Sequence, residues 1–410
     1  MITQRDELEA VAQELLSADW IAVDTEFIRE TSFFPDLQIV QLATRNKAWL
    51  LDVQAFRTKG EGQGPNRRRL HYLEARKLLG KELEPLARVL EDRKVIKVFH
   101  AAQGDQECLY TAMGAIGRNS FDTAVAASLA GYGEGVGLAN LMSQVLKVNL
   151  KKGHARTNWA QRPLPQQLQD YAVQDVDRLV ELAQTLADQL TAMKRLEWAF
   201  ELSAKWEDHN LYDPRPEELA DSLYRGGRVG PDGYGVLLEL AKWREERVRE
   251  LNVPRKWLAD DTVLMDIARV RPRDMDHLRT FRGLNRGEVN RHGELLLDLI
   301  AKGLSGDAAS PPARRRRTEP PSANEARSMD LLKAYVALLA DDKRIAVKNL
   351  LPSAQMLALI RTEATTVEGL VEDDVMGREA ARLIGEEVLE FLRGKVALSL
   401  ENGQVKVVKV

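Results

Sequence analysis

The stretch Trp20–Phe27, W-I-A-V-D-T-E-F, constrains this chain more than any other. Ile21, Ala22 and Val23 form a short apolar run that predicts a buried strand, with Asp24 and Glu26 at its end. Side chains two apart on a strand share a face, so the two carboxylates converge on one point while Thr25 faces away. Two carboxylates beside an apolar core are costly unless a cation sits between them. A hard divalent ion that prefers oxygen ligands, Mg²⁺ or Mn²⁺, meets that need. Taken alone, the stretch also reads as a strand end carrying two solvated acids.

Composition narrows the class. At 410 residues the chain fits two or three domains, and 44% hydrophobic with 30% charged residues is the balance of a soluble globular protein. No apolar run approaches the roughly 20 residues that span a bilayer, and the polar start MITQRDELEA lacks a signal-peptide core. The single Cys108 excludes an intramolecular disulfide or a Cys-rich zinc site. The expected setting is a reducing cytoplasm, with no membrane partner. A net charge of −3 is no mark of a nucleic-acid binder, but basic residues cluster at Arg67–Arg69, Lys151-Lys152 and Arg314–Arg317.

Periodicity predicts an α/β domain over residues 1–205. A helix over 4–16, with Thr3 as N-cap, precedes the Trp20–Phe27 strand. Leu37–Ala43 and Ala48–Val53 read as two more strands of an antiparallel meander feeding a mixed sheet. A glycine-rich basic insertion fills 57–70, and a helix runs from about Glu82 to Leu90. The strand Val95–Phe99 leads through His100 into a helix carrying Asp105. Phe121-Asp122-Thr123 opens another helix, with Asp122 as its cap, and Leu138–Leu146 makes a further one. Residues 206–304 read as a first helical domain, 305–327 as a Pro/Arg-rich linker, and 328–410 as a second helical domain. Val253, Leu258, Leu264 and Ile267 echo Ala346, Leu351, Leu357 and Ile360 at a constant offset, and Asn402-Gly403 predicts a terminal hairpin.

Two more acidic positions fall where an ion would need them. Asp105 lies in a first helical turn, where an Asp also serves simply as a dipole partner. Tyr171 and Asp175, in D-Y-A-V-Q-D-V-D, are i and i+4 on one helix face, whereas Asp170 and Asp177 fall elsewhere as solvated acids.

Together VDTEF, LQIVQLAT, KVFHAAQGDQE, FDTAVAA, R-T-N-W with Arg162-Pro163-Leu164, and YAVQDV resemble the DEDD 3′→5′ exonucleases of the Tyr subclass, and within them the ribonuclease D family. The resemblance covers roughly residues 15–190, and the helical repeats resemble HRDC modules. It implies a ribonuclease H-like mixed-sheet exonuclease domain followed by two small all-α HRDC-like domains. It also implies two-metal-ion hydrolysis of phosphodiester bonds at RNA 3′ ends, releasing nucleoside 5′-monophosphates, with tRNA 3′ maturation and small stable RNA processing as the role.

By the same resemblance, Asp24, Glu26 and Asp175 hold one divalent ion, Mg²⁺ or Mn²⁺, and Asp24 with Asp105 holds a second. Tyr171, whose ordinary pKa near 10 makes it a poor base, orients the attacking water; its other reading is a core aromatic. No small-molecule cofactor is implied. Thr25, Phe27, His100, Lys152 and Arg156 are candidate substrate contacts. Each has a plainer reading: core packing for Phe27, a local hydrogen bond for His100, solvent-exposed charge for Lys152 and Arg156. Position 104 is Gly where the resemblance leads one to expect Glu. Two rival functions keep part of this reading: a DNA exonuclease of the same chemistry, and a non-catalytic RNA-binding protein on the same fold.

Overall fold

The computed structural model describes residues 1–57, 72–150, 157–305, 310–313 and 319–410. The basic 57–70 insertion lies almost wholly outside the described residues, as do Lys151, Lys152, Arg156 and Arg314–Arg317.

The chain begins with α1 (Arg5–Leu16) and then lays down β1 (Trp20–Ile28), β2 (Asp36–Ala43) and β3 (Ala48–Asp52) as an antiparallel meander. The N-cap of α1 is Gln4 rather than Thr3, because the Glu7 carboxylate accepts from both their backbone N–H groups. Helices α2 (Tyr72–Glu82) and α3 (Glu84–Glu91) lead to β4 (Ile96–Phe99), which runs parallel to β1. Then follow α4 (Gln103–Met113), the short β5 (Ser120–Asp122), α5 (Thr123–Ala130), α6 (Leu138–Leu146), α7 (Gln166–Asp177), α8 (Leu179–Ala192) and α9 (Leu196–Ser203). The strand order β3-β2-β1-β4-β5 is the expected mixed sheet. Two of its details escape periodicity: β5 has only three residues, and α2 is weakly amphipathic.

Strand alternation distributes β1 between two cores. Ile21 and Val23 join the cluster of α1, α3 and α4, with Leu8, Leu86, Val89 and Leu109. Ala22 joins the opposite cluster with Leu129, Leu182 and Leu186 of α5 and α8. Thr25 therefore faces α4, while Asp24 and Glu26 share the Ala22 side.

The first helical unit comprises α10 (Pro216–Arg225), α11 (Tyr234–Leu251), α12 (Arg255–Leu258), α13 (Asp261–Val270), α14 (Met275–Leu278) and α15 (Arg286–Leu304), around its own core of Leu237, Leu240, Leu264 and Leu296. The second comprises α16 (Ala323–Lys343), α17 (Val347–Leu350), α18 (Ser353–Ile360), α19 (Val367–Glu372) and α20 (Arg378–Leu392). Helix α16 starts inside the stretch read as linker, capped by Ser322 with Glu325 three residues on. The echo between the units is real, but its register is 92 residues. Arg255 and Val347, Asp261 and Ser353, Met275 and Val367, and Arg286 and Arg378 each open paired helices at that separation. Leu258 thus corresponds to Leu350, and Ile267 to Leu359, all buried. The chain closes with the hairpin β6 (Val396–Glu401) and β7 (Gln404–Lys409), turning on Asn402 and Gly403 with φ of 51° and 77°, so the last unit is not purely helical.

Both helical units dock on the α/β domain. Arg255 lies over the Phe33 ring at 4.8 Å, and Phe34 donates its N–H to the Asn252 side chain at 3.1 Å, just beyond β1. The second unit shares a core with α5 and α8, and Ala346 donates to the Ser128 carbonyl at 2.8 Å.

Candidate active site

Asp24 and Glu26 reach the site on the last turn of the pleat before a bulge between Glu26 and Phe27. Asp175 arrives from α7, whose Leu168, Ala172 and Trp159 neighbours pack on Ile39 and Leu50 of the sheet. A fork-like ion pair fixes this approach: Arg162 meets Asp52 of β3 with two contacts of 2.7 Å, and donates to the Trp159 carbonyl at 2.7 Å. One oxygen each of Asp24, Glu26 and Asp175 lies within 4.8 Å of the other two.

Asp105 stands apart from these three. It is buried in the first turn of α4, and Thr25 donates to its carboxylate at 2.6 Å. The reason is the strand alternation: Thr25 points to the α4 side and holds Asp105 there. Its charge still reaches Asp24.

The electrostatics are those of crowded acids. Burial pushes Asp24 well above the ordinary carboxylate range, and Asp105, Asp175 and Glu26 push it further. Burial, then Asp175 and Asp105, raises Glu26 to about 8. Burial also raises Asp105 to about 7, against the Thr25 hydrogen bond, and Asp175 to about 6, against the Tyr171 hydrogen bond. None of the four has an ion-pair partner among the described residues. Convergent hard oxygen donors, mutually repelling and uncompensated, fit a divalent cation. Tyr171 is half-buried beside Trp159, ring centroids 6.2 Å apart; its hydroxyl donates to Asp175, and burial raises its pKa.

The other candidates have different surroundings. Thr25 is 6% exposed, and its hydroxyl is committed to the Asp105 carboxylate. Phe27 is half-buried over α4, where a Cβ on Gly104 would lie 3.8 Å from its ring; a Glu there would have to pass that ring. His100 is half-buried with Nδ1 2.9 Å from the Thr123 hydroxyl, a local bond. Cys108 is buried packing. Asp122 caps α5 as expected and also accepts from the Ala101 and Ala102 backbone N–H groups, each at 2.9 Å, just before α4.

Sequence reasoning passed over Gln41, whose side-chain N–H donates to Asp24 at 3.3 Å. The available signal was a polar residue inside the otherwise apolar I-V-Q-L-A run of β2.

Fold and site define a class: a mixed-sheet α/β nuclease domain with converging carboxylates, followed by small helical units. The 3′-5′ exonuclease family matches residues 1–191, and the HRDC domain family matches 235–300. Ribonuclease D of Granulibacter bethesdensis is 31% identical over 412 residues, spanning 100% of this chain and 96% of that protein. Ribonuclease D of Bartonella henselae is 29% identical over 408 residues, spanning 99% and 93%. The chain belongs to the ribonuclease D family, and as a member it is a 3′→5′ exoribonuclease. The crystal structure of Escherichia coli RNase D, described as an exoribonuclease involved in structured RNA processing, shares the fold, with a TM-score of 0.74 at 22% identity over 96% of this chain and 98% of that one.

Proposed function

We propose that the chain trims structured RNA precursors from the 3′ end, tRNA precursors among them, using two divalent ions, Mg²⁺ or Mn²⁺. Asp24, Glu26 and Asp175 would hold one ion, and Asp24 with Asp105 the other. Bound divalent ions supply Lewis-acid polarisation of the phosphodiester and a hydroxide nucleophile near neutral pH. The observation that carries this reading is the convergence of three carboxylates within 4.8 Å with no cation of their own among the described residues.

The side chains divide the remaining work. Tyr171 stays protonated at neutral pH, since burial and the adjacent carboxylates raise its pKa. Its one hydroxyl hydrogen goes to Asp175, so it would orient the attacking water by accepting a hydrogen bond from it, and it does not remove a proton. Thr25 keeps Asp105 ionisable from the far side of β1.

The first helical unit offers a surface suited to the body of the RNA. Trp257 on α12 is 54% exposed. Lys256 beside it, and Arg282 and Arg286 flanking the Asn285 that bonds the Trp257 carbonyl at 3.0 Å, have no acidic partner among the described residues. An exposed indole among free cations suits a stacked base and its phosphates.

The test compares a 3′-extended tRNA-like RNA with matched DNA, in Mg²⁺, Mn²⁺ or EDTA. Mononucleotides released from the RNA 3′ end only with metal, and lost in both Asp24→Ala and Asp175→Asn, is the expected result. Equal cleavage of DNA would assign the substrate to the rival reading, and activity in EDTA would overturn the metal site.

A further inference from the structure

Gln41 sits directly opposite Asp24 in the antiparallel β1–β2 pair, so the two side chains project from the same face of the sheet. Its Nε2 donates to Asp24 Oδ2 at 3.3 Å. The side chain is completely buried, and its other half, Oε1, has no hydrogen-bond partner among the described residues.

That arrangement is costly as packing. A buried amide with one unpaired end loses the hydration of its carbonyl oxygen, whereas an apolar side chain of the same size loses nothing comparable. The neighbours Ile39, Val40, Leu42 and Ala43 on the same strand are all apolar and buried, so the strand itself makes no demand for an amide here. Turning the amide over would bring its carbonyl oxygen against a carboxylate, so the orientation follows from Asp24. The feature that an apolar residue could not reproduce is one N–H aimed at one oxygen of Asp24.

We propose that Gln41 is a positioning residue: it anchors Oδ2 of Asp24, fixes the plane of that carboxylate against the repulsion of Glu26, Asp105 and Asp175, and so presets Asp24 to ligate a divalent cation. The proposal rests on the reading of Asp24 as a metal ligand. Gln41 acts through Asp24 and need touch neither metal nor RNA. Because the amide leaves an unpaired oxygen behind, the structure trades metal-free stability for a preset ligand.

The experiment uses the full chain as wild type, Gln41→Met and Gln41→Leu. Both variants lack the donor, but they differ in shape. Mn²⁺ binding is followed by titration calorimetry without RNA, and thermal unfolding is followed without metal. Both variants should bind Mn²⁺ about tenfold more weakly, by equal factors, and unfold metal-free at or above the wild-type temperature. Half-maximal RNA cleavage should need about tenfold more Mn²⁺, with the rate recovering at saturation. Wild-type Mn²⁺ affinity in the variants would overturn the proposal. So would affinity losses that differ between Met and Leu and track their melting temperatures, or failure of both variants to fold, since each marks a packing role. A wild-type chain that takes up no Mn²⁺ would overturn the reading of the site, and this inference with it.

Discussion

Thr25 donates its hydroxyl hydrogen to Asp105 at 2.6 Å, joining β1 to the first turn of α4 across 80 residues of chain. The bond stabilises the ionised form of Asp105 while burial opposes it. Thr25→Val keeps the shape and removes the donor. Losing a hydrogen bond to a charged group costs about 1.4 kcal/mol or more, which predicts roughly a tenfold fall in kcat/KM. The acid limb of the pH–rate profile should also move to higher pH. Thr25→Ser should restore both, and an unmoved profile would show that the bond serves packing alone.

The crowded carboxylates make a signed prediction about pH. Their folded pKa values, about 6 for Asp175, about 7 for Asp105 and about 8 for Glu26, lie above the unfolded values near 4. A group whose folded pKa is raised contributes stability at low pH that is lost as pH rises through that folded value. Without metal, the melting temperature should therefore fall between about pH 5 and 8. Added Mn²⁺ should reverse the fall, most strongly at the alkaline end, because it binds the ionised acids. Melting curves with EDTA and with Mn²⁺ across that range test this; parallel pH curves would contradict it.

Asp122 satisfies three backbone N–H groups, one in the first turn of α5 and two ahead of α4. Ala101 between β4 and α4 has a φ of +62°, so the chain turns sharply at the point the carboxylate holds. Asp122→Ala removes a cap and strands two amides, for a predicted loss of about 3 kcal/mol in urea unfolding. Asp122→Asn, with one acceptor oxygen, should fall between the two. Because α4 carries Asp105, both variants should lose more activity than a distant substitution of equal cost.

Arg195 joins the second helical unit to the α/β domain. Its guanidinium donates to the Leu129 carbonyl at 2.7 Å, to Lys343 at 2.6 Å and to Arg344 at 3.1 Å, binding the ends of α5 and α16 together. Arg195→Met should raise hydrogen exchange across 323–392 and expose it to limited proteolysis, while cleavage of a short single-stranded RNA stays near wild type. Unchanged exchange would mean that the shared apolar core alone holds the unit.

Much of the site was legible because its signals are local. Asp24 and Glu26 lie two apart on one strand, and Tyr171 and Asp175 one turn apart on one helix, so periodicity alone puts each pair on one face. The helical units were legible for the same reason, down to an echo one residue out of register, since apolar residues at helical spacing mark a face better than they mark an individual position. Polar bonds between distant segments were not legible. Nothing near Gln41 in the chain announces Asp24, and nothing near Asp52 announces Arg162.

The sequence by itself determined which carboxylates exist and which strand or helix presents each one, because repeat geometry and charge are carried by neighbouring residues; whether they meet as a cation site or stay apart as solvated acids was left open. Tertiary structure alone decided how those elements meet. It placed Asp24, Glu26 and Asp175 together on one face of β1, and held Asp105 against Thr25 on the other. It also set Gln41 under Asp24, because strand register and helix docking follow from the packing of whole faces and not from any single stretch.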